Sequence, residues 1–457
     1  MTEKQLEKKI LDGGRTLLFS NEDLKRLIIP LVIDQVLART VGMADTMMIS
    51  SVGEAAISGV SLVDMINMLI NAVFAAVATG GAVIASQYLG HRDRKKACEA
   101  SSQLMVVTAV CALLFTVLSL AARKPLLSLL FGQIDADVMD AALTYLTVSA
   151  LSFPFLASFN SSSALFRAMN DSRTPTVVSL GMNVMNLIGN SILIFGMKWG
   201  VAGAAISTLL SRVMAAAVMF ALSLNREQQL YVRPDQMTRF QPTLIGQILY
   251  IGIPSGIENG IFELGRIVVS MISTFGTVQI AANAVANNLD GLGVLAGAAM
   301  NLAILTVVGR CVGAHDNDQV RYYTRKLLKI EYAMMAVVNV VLLAALPLIL
   351  NLYTLSPASR ELATQLIFIH DGFAMLLWPL ALSMPNALRA ANDVKFTMVL
   401  SIGSMVCFRI ALSYVVGVRM GYGALGVWFA MLVDWAVRAA VYTWRFEKGK
   451  WESMARI

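Results

Sequence analysis

Apolar and polar positions along the chain sort into twelve long apolar stretches separated by short polar ones. They cover residues 27–49, 57–86, 102–122, 138–164, 174–195, 201–224, 244–275, 280–309, 329–351, 361–388, 396–416 and 423–444. Each reaches the roughly 20 residues that a helix needs to cross a bilayer. Several exceed that length, which predicts tilted or overhanging helices. The pattern predicts an all-α polytopic membrane protein with twelve transmembrane helices.

The second half of the pattern repeats the first at an offset of about 223 residues. "MMISSVG" (47–53) matches "SMISTFG" (270–276), and "QYLGHRD" (87–93) matches "RCVGAHD" (310–316). "LFRAMND" (165–171) matches "ALRAAND" (387–393), and "WGVAGAAIS" (199–207) matches "YGALGVWFA" (422–430). The reading is two pseudo-symmetric six-helix bundles. Six is even, so both bundles start on the same side and form a parallel repeat. The predicted organisation is an N-terminal segment 1–26, an N-lobe 27–224, an inter-lobe loop 225–243, a C-lobe 244–445 and a tail 446–457. Two such lobes suit alternating access, with one bundle rocking against the other around a central site.

Composition agrees: 57% of the 457 residues are hydrophobic and only 14% are charged. Residues 1–26 are polar and begin "MTEKQLEKKI", unlike a cleavable signal. The net charge of +7 could point to nucleic acid, but its placement gives another account. With both termini inside, the inner segments hold 26 Lys and Arg and the outer segments 5. That bias predicts cytoplasmic termini and removes the need for a nucleic-acid partner. The four cysteines lack paired spacing and read as small core residues.

Charges inside the spans cost roughly 2.5–3.5 kcal/mol each on insertion scales, so such residues usually face a cavity or a partner. The candidates are Asp34, Arg39, Asp45, Asp64, Glu258, Glu263, Arg266, Asp290, Asp371 and Asp434, with Arg212, Arg409 and Arg438 also within spans. The repeat sets Pro30 over Pro254, Asp34 over Glu258 and Arg39 over Glu263. Asp34 and Glu258 have no obvious basic partner in their own span and read as cation or proton binders. Arg39, Glu263 and Arg266 could instead form structural ion pairs, Glu263 and Arg266 being i, i+3 neighbours. Asp64, Asn67 and Asn71 share a helical face whose repeat mates include Asn287 and Asp290, with Asn283 extending it. Helix–helix hydrogen bonding is an equally good reading of that stripe. Asn186 and Asn190 share a face of the fifth span. Asp371, beside His370, could be a solvated cap or a coupling site. Pro154 and Pro379 are expected to kink their helices.

These residues resemble the multidrug and toxic compound extrusion (MATE) family over roughly 20–445. The likeness rests on "GMADTMMIS" (42–50), "QYLGHRD", "LFRAMNDSRTP" (165–175) and "IFGMKWGVAGAAISTLLS" (194–211). It implies an antiporter exporting organic cations and other amphipathic compounds against inward sodium or proton flow. It further implies a cation or proton site at Asp45, with Asn186, Asn190 and Thr208 as polar partners. Many prokaryotic members carry an aspartate where Asn190 stands. "IENGIFELG" resembles the family's pair of glutamates five apart, which carries a coupling or substrate role to Glu258 and Glu263. Asp45 and Glu258 are then the expected sodium ligands, with no other cofactor. The superfamily also contains lipid-linked oligosaccharide and lipid flippases, whose polyanionic substrates would favour basic residues such as Arg39 and Arg266. A membrane sensor or scaffold is a third reading. No nucleophile–base pair, metal spacing or Walker A loop points to an enzyme. The expected setting is a prokaryotic inner or plasma membrane, with the chain acting as a monomer among membrane lipids on small cationic drugs.

Overall fold

The structure, a computed structural model, describes residues 3–132, 135–272, 276–351, 353 and 355–455, without the side chains of 266–275 and 277. Every regular element among the described residues is helical. Eleven helices there are long and apolar enough to cross a membrane. The remaining predicted span, 244–275, forms the helix Pro242–Ile272, which extends into residues whose side chains are not described. The chain is a multi-pass all-α membrane protein with the twelve-helix, two-lobe layout.

The repeat is written into the backbone. Left-handed φ values recur in register at Gly53 and Gly276 (139° and 102°), Arg92 and His315 (62° and 54°), Asn170 and Asn392 (68° and 67°), and Gly200 and Gly423 (54° and 57°). Non-glycine residues rarely adopt this region, so their recurrence at matched turns is specific. Asp93 and Asp316 follow two of these turns. Their carboxylates accept the N–H of Lys96 at 3.0 Å and of Gln319 at 3.1 Å, capping the next helix of each half. A π-helical stretch recurs at Ser191–Gly196 and Tyr414–Arg419, with a further one at Met405–Ala411 in the second half.

By contacts the chain forms two compact units, Glu22–Asn259 and Met1–Asn21 with Gly260–Ile457. The first holds α2 (Asn21–Ser50), α3 (Glu54–Gly90), α4 (Arg94–Ala121), the short α5 (Arg123–Phe131), α6 (Ala136–Ala168), α7 (Arg173–Asn190), α8 (Gly200–Ser223), the single turn α9 (Pro234–Met237) and the first part of α10 (Pro242–Ile272). α4 is inside-out by the standards of a water-soluble helix. Thr108 and Thr116 are buried, while Val110, Leu113, Leu114 and Val117 are exposed, as on a helix facing lipid. Its buried hydroxyls donate to carbonyls, Thr116 to Ala150 at 3.0 Å, so no polar atom there faces hydrocarbon unpaired. Phe74, Phe115 and Phe153 pack edge-on in the core, with ring centroids 5.9 and 6.1 Å apart. Gly80 lets α3 approach α10 closely, since a Cβ there would collide with the Ile248 carbonyl. The predicted inter-lobe loop lies along α4, where the Gln103 amide donates to the carbonyls of Gln236 and Arg239, both at 2.8 Å.

The second unit continues α10 and holds α11 (Thr277–Gly293), α12 (Leu295–Gly313), α13 (Asn317–Leu350) and α14 (Pro357–Trp378). A π turn, Pro379–Ser383, joins α14 to α15 (Met384–Ala390), followed by α16 (Val394–Ser404) and α17 (Gly423–Glu447). The eighth predicted span is thus two helices broken at Val294. Pro379 opens a π turn, whereas α6 runs as one α-helix through Pro154. The N-terminal α1 (Glu3–Asp12) and the residues after it dock on α13. Arg15 donates to Asp316 at 2.8 Å and to Asp318 at 2.7 Å, and the Tyr323 hydroxyl bonds both the N–H and the carbonyl of Phe19. Deeper in the unit, the carboxylate of Asp434 is buried with Arg438, at 2.9 Å, and Ser404.

Candidate functional site

Two clusters of ionisable side chains lie within spans, one in each unit. In the first, Asp45 on α2 accepts the side-chain N–H of Asn190 at 2.8 Å. Asn190 ends α7, just before the π-helical stretch, and is 1% exposed. One turn earlier, Asn186 donates to Thr208 on α8 at 3.2 Å. The side-chain oxygens of both asparagines are buried without a hydrogen-bond partner, two acceptors left over for a cation or a donor. Asp64 on α3 takes hydrogen bonds from Asn67 at 3.3 Å and from the Tyr145 hydroxyl. Arg212 on α8 donates to Ser152 at 2.6 Å and lies within electrostatic reach of Asp45, Asp64 and Tyr145. Asp45 and Asp64 also feel each other. Two acids therefore share one guanidinium.

The other charges of this unit stand apart from that cluster. Asp34 has the Arg167 guanidinium of α6 within electrostatic reach, a partner from another helix rather than from its own. Arg39 is exposed. Glu258 is 8% exposed on α10. Glu263, one turn further, is half-buried and falls in the second unit. The Arg266 side chain lies outside the described residues, so its pairing with Glu263 does too.

In the second unit, Asp290 on α11 meets His370 and Asp371 on α14. His370 Nε2 stands 2.8 Å from Asp290 Oδ1, and Nδ1 stands 2.9 Å from Asp371 Oδ1. Nδ1 makes a hydrogen bond with Asp371 Oδ1, while Nε2 and Asp290 Oδ1 are close in distance but not aligned as a hydrogen bond. Asp371 is fully buried, so it is not a solvated cap. The His370 ring stands edge-on to Trp428 and Trp435, at 5.2 and 5.1 Å, which fixes its plane. The break at Gly293 makes room for the group: a Cβ there would lie 3.1 Å from Asp371 Oδ1 and closer still to Asn339. Ligand atoms of Asp290, His370 and Asp371 lie within 4.8 Å of one another, close enough to hold one cation. The imidazole makes the set less suited to a hard ion such as sodium than an all-oxygen cage.

The polar stripe of α3 and its counterpart on α11 serve both as glue and as cluster. Asn71 accepts from Asn160 at 3.0 Å, and Asn283 accepts the Trp428 indole N–H at 2.7 Å. Neither the span pattern nor the repeat assigned a role to Arg212, Tyr145 or His370. Arg212 carried a usable signal, a charge inside a span. Tyr145 and His370 carried none beyond residue type.

Twelve spans in a parallel repeat, with carboxylates gathered inside each half, are a layout that suits a membrane transporter. A family model described as MatE matches residues 30–192 and 254–415, once in each half. The chain belongs to this family, the multidrug and toxic compound extrusion transporters. It is 28% identical to the uncharacterized transporter YisQ of Bacillus subtilis over 430 residues, covering 92% of this chain and 93% of that one. It is 26% identical to a probable multidrug resistance protein NorM of Thermotoga maritima over 449 residues, covering 95% and 94%. Among solved structures, an outward-facing multidrug resistance MATE transporter aligns with a TM-score of 0.87 at 19% identity over 94% of this chain and 96% of that one. A MOP-superfamily transporter from Pyrococcus furiosus, described as having a binding pocket of reversed polarity that suggests a different function, aligns at 0.86 and 18% over 95% and 96%.

Proposed function

We propose that the chain is a secondary antiporter that exports organic cations and amphipathic drugs in exchange for sodium ions or protons, by alternating access of its lobes. The observation that carries this reading is the acid excess in each cluster. Among the described residues, Asp45 and Asp64 have one basic group, Arg212, within electrostatic reach, and Asp290 and Asp371 have His370. A net negative, partly desolvated group attracts a cation, and charge added by an incoming ion weakens that attraction. Ion entry thereby displaces the substrate on the far side. One-for-one exchange of monovalent cations moves no net charge, so the ion's own concentration gradient is the driving force, about 1.4 kcal/mol per tenfold. Similarity to proteins named for multidrug resistance supports drugs over lipid-linked sugars, whose polyanionic heads these clusters would repel. The inward bias of Lys and Arg supports cytoplasmic termini in a prokaryotic plasma membrane.

The experiment is transport of a fluorescent lipophilic cation by inverted membrane vesicles, with sodium and pH gradients imposed separately. One gradient should drive accumulation, and Glu258→Gln should reduce the coupling. Accumulation under neither gradient, across a panel of organic cations, overturns the reading.

A further inference from the structure

Two departures from the internal repeat meet at one place. In the first half, Ser161 of α6 donates to the Thr108 hydroxyl of α4 at 2.8 Å, and Thr108 donates to the Leu104 carbonyl. Both hydroxyls are buried and satisfied, and α6 is an unbroken α-helix there. In the second half, Ser383 stands for Ser161 and Glu331 of α13 stands for Thr108. Ser383 donates to Glu331 Oε1 at 2.6 Å. Here the helix is not continuous, because Ser383 closes the Pro379–Ser383 π turn. Glu331 is 0% exposed, and its Oε2 is buried with no hydrogen-bond partner.

The first half serves as an internal control: helices of this layout pack at this point without an acid and without a π turn. A buried acid is costly unless something offsets the cost, and single π turns inside α-helices concentrate at functional sites. Charged groups on the packed elements do not offset it. Lys329, on the same helix, pairs with Glu3 of α1. Asp290 of α11 and His370 and Asp371 of α14 pair with one another, His370 thirteen residues before Ser383. Arg389 of α15 donates to Asn386, and Arg310 sits in the last turn of α12. The adjacent Tyr332 donates to the Leu376 carbonyl. Among the described residues, Ser383 alone bonds Glu331.

We propose that Glu331 is a proton-binding site of the second unit, separate from the two clusters and controlled by the π turn. In this structure the site holds the neutral acid, with Oε1 accepting from Ser383 and the proton on Oε2. Movement of the Pro379–Ser383 turn admits water to Oε2. The O–H bond then breaks, the proton passes to water, and the carboxylate remains until the turn closes and a proton returns. The transport role rests on the antiporter reading; the proton site itself does not.

The test is infrared spectroscopy of the lipid-reconstituted chain, with proton uptake counted on a pH jump. Wild type is compared with Glu331→Gln, with Glu331→Thr (the residue of the other half) and with Ser383→Ala. The expected result is a carboxylic-acid carbonyl band at neutral pH that both Glu331 variants lose and Ser383→Ala shifts. Each Glu331 variant should also take up one proton fewer. A band that survives in both variants, one unmoved by Ser383→Ala, or unchanged proton uptake overturns the site. These readouts need no substrate, so they stand apart from whether the chain exports drugs. Proton-driven export by Glu331→Gln should fall at least tenfold with substrate affinity unchanged, and export at the wild-type rate overturns the role in transport.

Discussion

Asn190 holds Asp45 by a 2.8 Å hydrogen bond from the end of α7 to α2. The bond joins two helices across 145 positions of sequence, and it presents the Asp45 carboxylate with a neutral donor where a second acid would repel it. Asn190→Asp puts two carboxylates at hydrogen-bond distance, where like charges cannot both ionise. The expected outcome is a pair sharing one proton, read as export whose pH profile shifts while expression stays normal. Asn190→Leu removes the donor and should cost about 1–3 kcal/mol of thermal stability together with most of the export.

The triad of Asp290, His370 and Asp371 yields a double-variant prediction. His370→Ala leaves Asp371 buried without its partner, which should cost about 3–5 kcal/mol. Adding Asp371→Asn removes the stranded charge and should restore most of that loss. Thermal melting of the two single variants and the double variant, treated as a cycle, measures the coupling. Additive losses would place His370 and Asp371 out of energetic contact.

Gly293 ends α11 where the triad needs space. Gly293→Ala drives a methyl group towards Asn339 and Asp371 and should destabilise by about 1–3 kcal/mol. Gly246 is the control, because a methyl group added there would meet nothing within 4 Å. Gly246→Ala should be neutral or slightly stabilising. Equal melting shifts for the two would remove the steric account.

The arm that precedes α2 is held to α13 through Arg15, Asp316 and Asp318. Its pairs are partly exposed, so each contributes on the order of 1 kcal/mol and weakens with salt. Arg15→Ala should speed proteolysis within the arm several-fold, and high salt should do the same to wild type. Cleavage unaffected by either change would show that the arm is held by its other contacts, such as the paired Tyr323–Phe19 bonds, rather than by the Arg15 pairs.

Much of this was legible in the sequence because a membrane imposes length and periodicity on each span. Each of the twelve stretches falls on helix, although the helices Arg94–Ala121 and Asn317–Leu350 start eight and twelve residues before their predicted spans, and the sequence repeat recurs as matched left-handed turns in the backbone. The break at Val294 was not legible, because a Gly–Val pair inside an apolar run carries no stop signal. Site chemistry was harder. Asp45, Asn190, Asn186 and Thr208 came from family resemblance and converge in space. The placing of Arg167 within electrostatic reach of Asp34 and the sharing of Arg212 depend on helix packing, which periodicity does not encode. Asp371 read equally well as a solvated cap because hydropathy alone does not locate depth. Asp371 is buried beside His370, whose ring packs edge-on against Trp428 and Trp435.

The central claim is that carboxylates inside the two lobes exchange an organic cation for an inward-moving ion. Its most direct test is ion-coupled countertransport in proteoliposomes, comparing wild type with the double variant Asp45→Asn, Asp371→Asn at matched protein density. The account predicts that an imposed tenfold sodium or proton gradient drives the cation against its own gradient by up to about tenfold in one-for-one exchange. It also predicts that the folded double variant only equilibrates the cation. Concentrative transport by the double variant at the wild-type rate would contradict it.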